Sequence, residues 1–318
     1  MNITDLIARV RRAAFLPTGS ADFTDAWICR EINDQLTQLY ERAVVRAMQG
    51  YWHQIQYYAL TAGTTQYRIP YRACTGGIES VQISDAAAIE WFELPWLEES
   101  DAVRYESIAE DKPQRHVIRG EFIRVLPAAA SSNLYYMRVH YAVRPSRVTL
   151  PQTTPATQGL ITAIDTTART ITVSAVPDSI DEDGTKTAMG TSGLRVDVVR
   201  PVGWNSVILQ SISATRSGST FTLSSPVSGL AEANSMADVQ VGDFLFAAEQ
   251  TNWPALPQDF HRTLADAAAS KILTQRSMHQ KATELMASHV VPELGRFNEM
   301  LQPRVAESAY VFVAPDFR

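Results

Sequence analysis

Apolar side chains recur every three or four residues near both ends of the chain and at every second residue through much of its middle. A first helix is expected from Thr4 to Phe15. Thr4 can cap it, Asp5 suits its positive end, and Pro17 follows its close. Thr24 can cap a longer helix reaching Gln49, with Gly50 as its stop. Ile28, Ile32, Leu36, Leu39 and Ala43 form one apolar stripe, and Arg30, Asp34, Glu41 and Arg46 lie opposite.

From Tyr51 the period shortens to two. His53 to Leu60 and Thr65 to Ile69 read as two strands around Ala62-Gly63, the second ended by Pro70. Gly77 to Ile83 is a further strand. Asp85 to Asp111 is acidic, with Trp91, Phe92, Trp96 and Tyr105 set among the carboxylates. It is expected to be a loop and short helix whose aromatics anchor it to the core. Arg115 to Ile118 and Phe122 to Val125 make a hairpin around Arg119-Gly120-Glu121. Tyr135 to Val143 alternates as a half-buried strand.

Residues 156–249 are rich in Thr, Ser, Val and Gly. Leu160 to Ile164 and Thr170 to Val173 flank an Asp165-Thr166-Thr167 turn. Leu194 to Val199, Ser206 to Ile212, Thr220 to Leu223 and Phe244 to Ala247 are further short strands, the spacing of a small sandwich or barrel. Helix returns after Pro257, with Phe260, Leu264, Ala268 and Ile272 on one face. A second helix starts near Ser277 and passes through Leu285, Met286 and Val290. Pro292 kinks or restarts it, and Leu294, Phe297 and Leu301 carry the apolar face to Pro303. The last stretch holds an apolar run from Tyr310 to Ala314 without helical period.

The fold class expected is α+β: amphipathic helices from both ends of the chain, a small antiparallel sheet, and an inserted all-β domain, sandwich or barrel-like. The expected domains are a discontinuous core of residues 1–150 and 250–302, an inserted β domain of 151–249, and an extended C-terminal arm of 303–318.

Composition narrows the function classes. The 318 residues are 45% hydrophobic and 19% charged, an ordinary globular balance. Cys29 and Cys74 make neither a disulfide framework nor a metal knuckle, and suit a reducing cytosol. No signal peptide or membrane span is visible, so a soluble chain made in the cytoplasm, with no membrane partner, is expected. The net charge of −6 argues against a strongly basic nucleic-acid binder. The excess is local: residues 151–249 carry five basic side chains (Arg169, Lys186, Arg195, Arg200, Arg216) against ten acidic ones. Only Lys112, Lys186, Lys271 and Lys281 of the 28 basic residues are lysine. Arginine suits packed interface pairs, although codon usage explains the bias equally well.

Motifs for catalysis are missing. There is no GxxxxGK[ST], GxGxxG or GxSxG, and Gly190-Thr191-Ser192-Gly193 reads as a turn. Asp178, Asp181, Asp183 and Gly184 resemble half of a calcium loop. The closing position would be Gly190, which has no carboxylate, so a solvated turn is expected. His53, His116, His140, His261, His279 and His289 form no metal-binding pair on a helix. No cofactor, metal site or catalytic residue is expected.

The order of these textures resembles the head-to-tail adaptor (connector) proteins of tailed bacteriophages, in particular short-tailed ones. A long amphipathic helix leads into YYALTAGTTQYRIP, with Gly63, Tyr67 and Pro70 at the family's hairpin positions, then GGIESVQI. KPQRHVIRGEFIRVLPAAA and VHYAVRP follow, and WPALPQDFHRTLADAAASKIL opens the closing helices. The resemblance covers about residues 1–150 and 253–301.

It implies a structural virion protein at the head–tail junction, not an enzyme. The implied assembly is a homo-oligomeric, dodecameric ring below the portal protein that extends the DNA channel and carries tail, nozzle and fibre proteins. Double-stranded DNA would pass through it non-specifically. The C-terminal arm would dock on the portal or on a neighbouring subunit through Tyr310, Val311, Phe312, Val313, Pro315, Phe317 and Arg318, unless it packs back on its own domain. Two other readings stay open. One is a fibre-attachment or hub protein with a ligand-binding β domain. The other is a virion-associated hydrolase using carboxylates such as Glu98 and Glu99.

Overall fold

A computed structural model of the chain describes residues 1–39, 53–85, 90–106, 112–150, 158–180, 185–201, 206–224, 236–254, 256 and 258–301. The protein is mixed α+β and divides into two compact units, Ile3–Tyr51 with Gln258–Arg318, and Trp52–Pro257.

The first unit is helical. α1 (Ile3–Ala13) buries Ile3, Leu6, Ile7 and Val10. It begins just before the expected cap, so Thr4 lies inside its first turn. α2 (Asp25–Leu39) is capped as expected: the Thr24 Oγ1 accepts from the Trp27 amide at 3.2 Å. Ile28, Ile32 and Leu36 are buried and Arg30 is exposed, as the stripe requires. The expected continuation of α2 to Gln49 falls outside the described residues.

The second unit contributes a short helix, α3 (Glu99–Glu106), and the strands described below. The closing helices of the first unit are α4 (His261–Gln275), α5 (His279–Leu285) and α6 (Val291–Leu301). α4 packs on α1, α2 and α5. Its Ala265, Ala267, Ala268 and Ala269 are buried, and such small side chains let neighbouring backbones approach closely. Between α5 and α6 the expected irregularity is a wide π turn, Met286–Val290. Pro292 follows in the first turn of α6, where its missing N–H is tolerated.

The second unit is β-rich. A four-stranded sheet has the order β1-β7-β3-β4, formed by β1 (His53–Ala59), β3 (Ala73–Asp85), β4 (Phe92–Glu93) and β7 (Tyr135–Val143). A three-stranded sheet, β2-β6-β5, is formed by β2 (Gln66–Arg68), β5 (Arg115–Arg119) and β6 (Phe122–Leu126). They share one apolar core, with Val81, Ile83, Met137 and Val139 from the first sheet and Tyr67, Ile123 and Val125 from the second. The strands around Ala62-Gly63 therefore do not pair with each other: β1 pairs with β7 and β2 with β6. The β5–β6 hairpin forms as read, with Arg119 opposite Phe122. α3 covers the small sheet by packing Ala102 on Val117 and Leu126.

Residues beyond Gly159 build a separate sheet of six antiparallel strands, β16-β13-β14-β15-β10-β9. These are β9 (Ile161–Asp165), β10 (Thr170–Val173), β13 (Leu194–Arg200), β14 (Ser206–Ser217), β15 (Thr220–Leu223) and β16 (Phe244–Ala247). Every strand contributes to one core, which includes Ile161, Ile171, Val196, Leu209, Phe221 and Leu245. The sheet curls until its edges meet at a single bridge, Leu160 with Phe244, and it is not a closed barrel. Gly159 makes that seam possible. Its φ is +73°, and a Cβ there would lie 2.1 Å from the Leu245 carbonyl oxygen. A two-stranded hairpin, β11 (Asp178–Ile180) with β12 (Lys186–Ala188), lies in the same stretch of chain. β8 (Arg147–Val148) and β17 (Gln250–Thr251) pair in parallel where the chain leaves for this region and returns from it.

The two β regions are joined by a buried ion pair. Arg72 Nη1 lies 2.7 Å from Asp197 Oδ2, and both side chains are at most 2% exposed. The Arg72 Nη2 donates to the Arg144 carbonyl and the Ser146 hydroxyl, while Asp197 accepts from the Ser211 and Glu249 amides. Burial pushes the Asp197 carboxyl up, and Arg72 and the two amides pull against it. The neighbouring Tyr141 hydroxyl is pushed up to about 12, mainly by burial.

Candidate interaction surfaces

The residues singled out for chemistry are not gathered into one centre. Glu98 and Glu99 are exposed, and Glu99 is held by Arg119 at 3.0 Å. His116 is buried, with its Nδ1 2.8 Å from the Leu94 carbonyl, and burial lowers its pKa. His261 is buried beside the Met1 amino group at 2.8 Å. Among the described residues no three His, Cys, Asp or Glu side chains come together to hold a metal. Asp178 lies in β11, and Asp181, Asp183 and Gly184 fall outside the described residues. The Gly190 turn is tied down by Arg216, whose guanidinium donates to the Met189 and Gly190 carbonyls. The arm residues Tyr310, Val311, Phe312, Val313, Pro315, Phe317 and Arg318 also lie outside the described residues.

The acidic segment departs from the expected arrangement. Its anchors are Leu94, Ala102 and the half-buried Leu97 and Tyr105. Trp91 is half-buried, with the Arg138 guanidinium 4.5 Å from its ring centroid. Phe92 and Trp96 instead face outward. Pro95, Trp96 and Leu97 run beside β5: the His116 amide donates to the Pro95 carbonyl, and the Leu97 amide to the His116 carbonyl. Backbone pairing therefore holds the segment, together with Tyr105 and Trp91, while the Phe92 and Trp96 side chains take no part in anchoring it. A period count shows where side chains point but not which strand edge a segment joins.

Two features were not legible as sites in the sequence. Tyr71, in the turn before β3, is flanked by the Arg144 and Arg195 guanidiniums at 5.7 and 5.5 Å from its ring centroid. In the helical unit a cleft of about 400 Å³ is lined by Asp259, Arg262, Asp266, His289, Glu293 and Arg296, among others. Its buried carboxylate, Asp266, is held bidentately by Arg9 at 3.0 and 2.8 Å.

The described residues form a helical unit from both chain ends and a β-rich unit from the residues between them. The sequence model of the family described as SU10 adaptor protein matches residues 1–188, more than half of the chain. The chain belongs to this phage head-to-tail adaptor family, a structural family rather than an enzyme family. It is a bacteriophage structural adaptor protein of the virion's head–tail junction, where its partners are portal and tail components. No curated protein matches the chain significantly.

Proposed function

We propose that the protein forms a homo-oligomeric, dodecameric ring below the portal protein, joins phage head to tail and extends the DNA channel. The observation that carries this reading is the adaptor-family match over residues 1–188. The ring carries no chemistry of its own and works by geometry. The region 151–249 acts as an inserted β domain directed at tail, nozzle or fibre proteins. Its own core supports that role, as does the parallel β8–β17 pair at its base. The arm 303–318 docks on the portal or a neighbouring subunit through the apolar residues around Tyr310 and Phe317.

Electron microscopy of the full chain mixed with its portal tests this. The expected image is a ring of adaptor density stacked beneath the portal. Adaptor density placed elsewhere on the virion would overturn the proposal. Removing residues 306–318 should weaken portal attachment, and unchanged attachment would remove the arm from the account.

A further inference from the structure

We infer that the outward face of the α3 segment is one half of the contact between neighbouring copies of this chain. The Tyr71–Arg195 surface is the other half. This rests on the ring reading above and names the surfaces that build it.

Among the described residues of the β-rich unit, Phe92, Trp96 and Val103 are exposed large apolar side chains within one short stretch, while Leu134 and Val241 are exposed elsewhere. Phe92 is 51% exposed, Trp96 60% and Val103 70%, and Phe122 at the tip of the β5–β6 hairpin is 40% exposed. α3 turns Ala102 and Tyr105 inward against Val117 and Leu126 and leaves Val103 outside. Apolar surface left out in this way around a short element, rimmed by polar groups, marks a binding face. Its rim carries both signs, with Lys112 4.7 Å from the Phe92 ring centroid, Arg104 exposed on α3 and Arg119 paired with Glu99, but Glu93 and Glu98 are exposed, and neither they nor Asp101 has a basic partner within ion-pair distance among the described residues.

The occupant follows from charge and from closure. A head-to-tail ring needs two different patches on one chain, each fitting the other. The same unit carries the complement. Tyr71 is 60% exposed between two guanidiniums. Arg144 is neutralised by Glu249, whereas Arg195 is exposed and has no acidic partner among the described residues. An exposed tyrosine beside a free guanidinium is what an acidic, tryptophan-bearing face would select, since Trp, Tyr and Arg dominate interface energetics.

A charge swap in the full-length protein tests the pairing, read by mass photometry of the free protein and of portal-bound assemblies. Glu98→Arg with Asp101→Arg should lower ring formation at least ~10-fold, because opposed like charges at an interface are repulsive. Arg195→Glu alone should do the same. Combining the three substitutions in one chain should recover most of the loss, a rescue that a folding defect would not give. A second readout uses Trp96→Cys with Tyr71→Cys, in a chain whose native Cys29 and Cys74 are buried. Oxidation should give a ladder of cross-linked multimers. Rings that form with wild-type yield in all the charge variants, and no ladder, would overturn the pairing and leave the ring intact. Absence of any ring in the wild-type protein, free or on the portal, would overturn the ring reading itself.

Discussion

Both compact units contain a buried aspartate held by an arginine, and the two pairs differ in their access to water. In the helical unit Asp266 is buried, but its partner Arg9 is 26% exposed and runs out to the surface. In the β-rich unit Arg72 and Asp197 are both dry, and four further hydrogen bonds consume most of their remaining polar atoms. The same side-chain chemistry therefore has two energetic characters. A half-wet pair holds segments together and can be lost gradually. A dry pair gains little over an apolar substitute, yet breaking it strands a charge in the core.

The largest expected effect follows from that contrast. Asp197→Ala should cost the β-rich unit ~3–5 kcal/mol, since Arg72 would stay buried without a counter-charge. Urea unfolding followed by tryptophan fluorescence would measure it, and a loss below 1 kcal/mol would show that water reaches the pair.

Gly159→Ala comes next. The new methyl meets the Leu245 carbonyl at 2.1 Å and fixes a non-glycine residue at φ +73°. A loss of at least ~2 kcal/mol, confined to the unfolding transition that Asp197→Ala also moves, is expected.

Asp266→Ala should be milder, ~1–2 kcal/mol, because the released Arg9 can hydrate. Calorimetry should show it moving a different transition from Asp197→Ala. A single transition shifted equally by both variants would mean that the units unfold as one.

The smallest effect is set by pH. Burial lowers the pKa of His116 below its ordinary 6.5, only partly offset by the Leu94 carbonyl and Glu93. The unfolded chain then binds the proton more readily than the folded one. The contribution of the neutral ring is full above pH 6.5 and is lost as pH falls below it, by less than ~1.4 kcal/mol per pH unit. Comparing wild type with His116→Gln at pH 7.5 and 5.5 isolates this term; equal slopes would remove it.

What could be read from the sequence was local. The Thr24 cap and the Ile28–Ile32–Leu36 stripe need only neighbouring residues. So does the turn at Asp165, whose carboxylate accepts from the Thr167 and Ala168 amides. What escaped was long-range pairing. Alternation in His53–Ala59 tells which side chains face the core, but not that the strand pairs with residues 136–142 instead of its nearer neighbour. Arg72 and Asp197 look like ordinary surface charges, and only the fold brings residues 125 positions apart into contact. Tyr71, Arg144 and Arg195 became a cluster for the same reason. The residues expected to form the arm fall outside the described residues.

The parallel pairing of β8 with β17 has a consequence for how this chain can be rebuilt. Antiparallel neighbours can be rejoined by a two-residue turn, but parallel ones need a crossover of a dozen or more residues. The region between Val148 and Gln250 is therefore not a hairpin extension that could be trimmed away stepwise. Whatever replaces it must travel back to the start of the second strand. Exchange of this region, by recombination or at the bench, is therefore expected to succeed with whole folded modules, and progressive shortening is expected to unravel the two strands at its base.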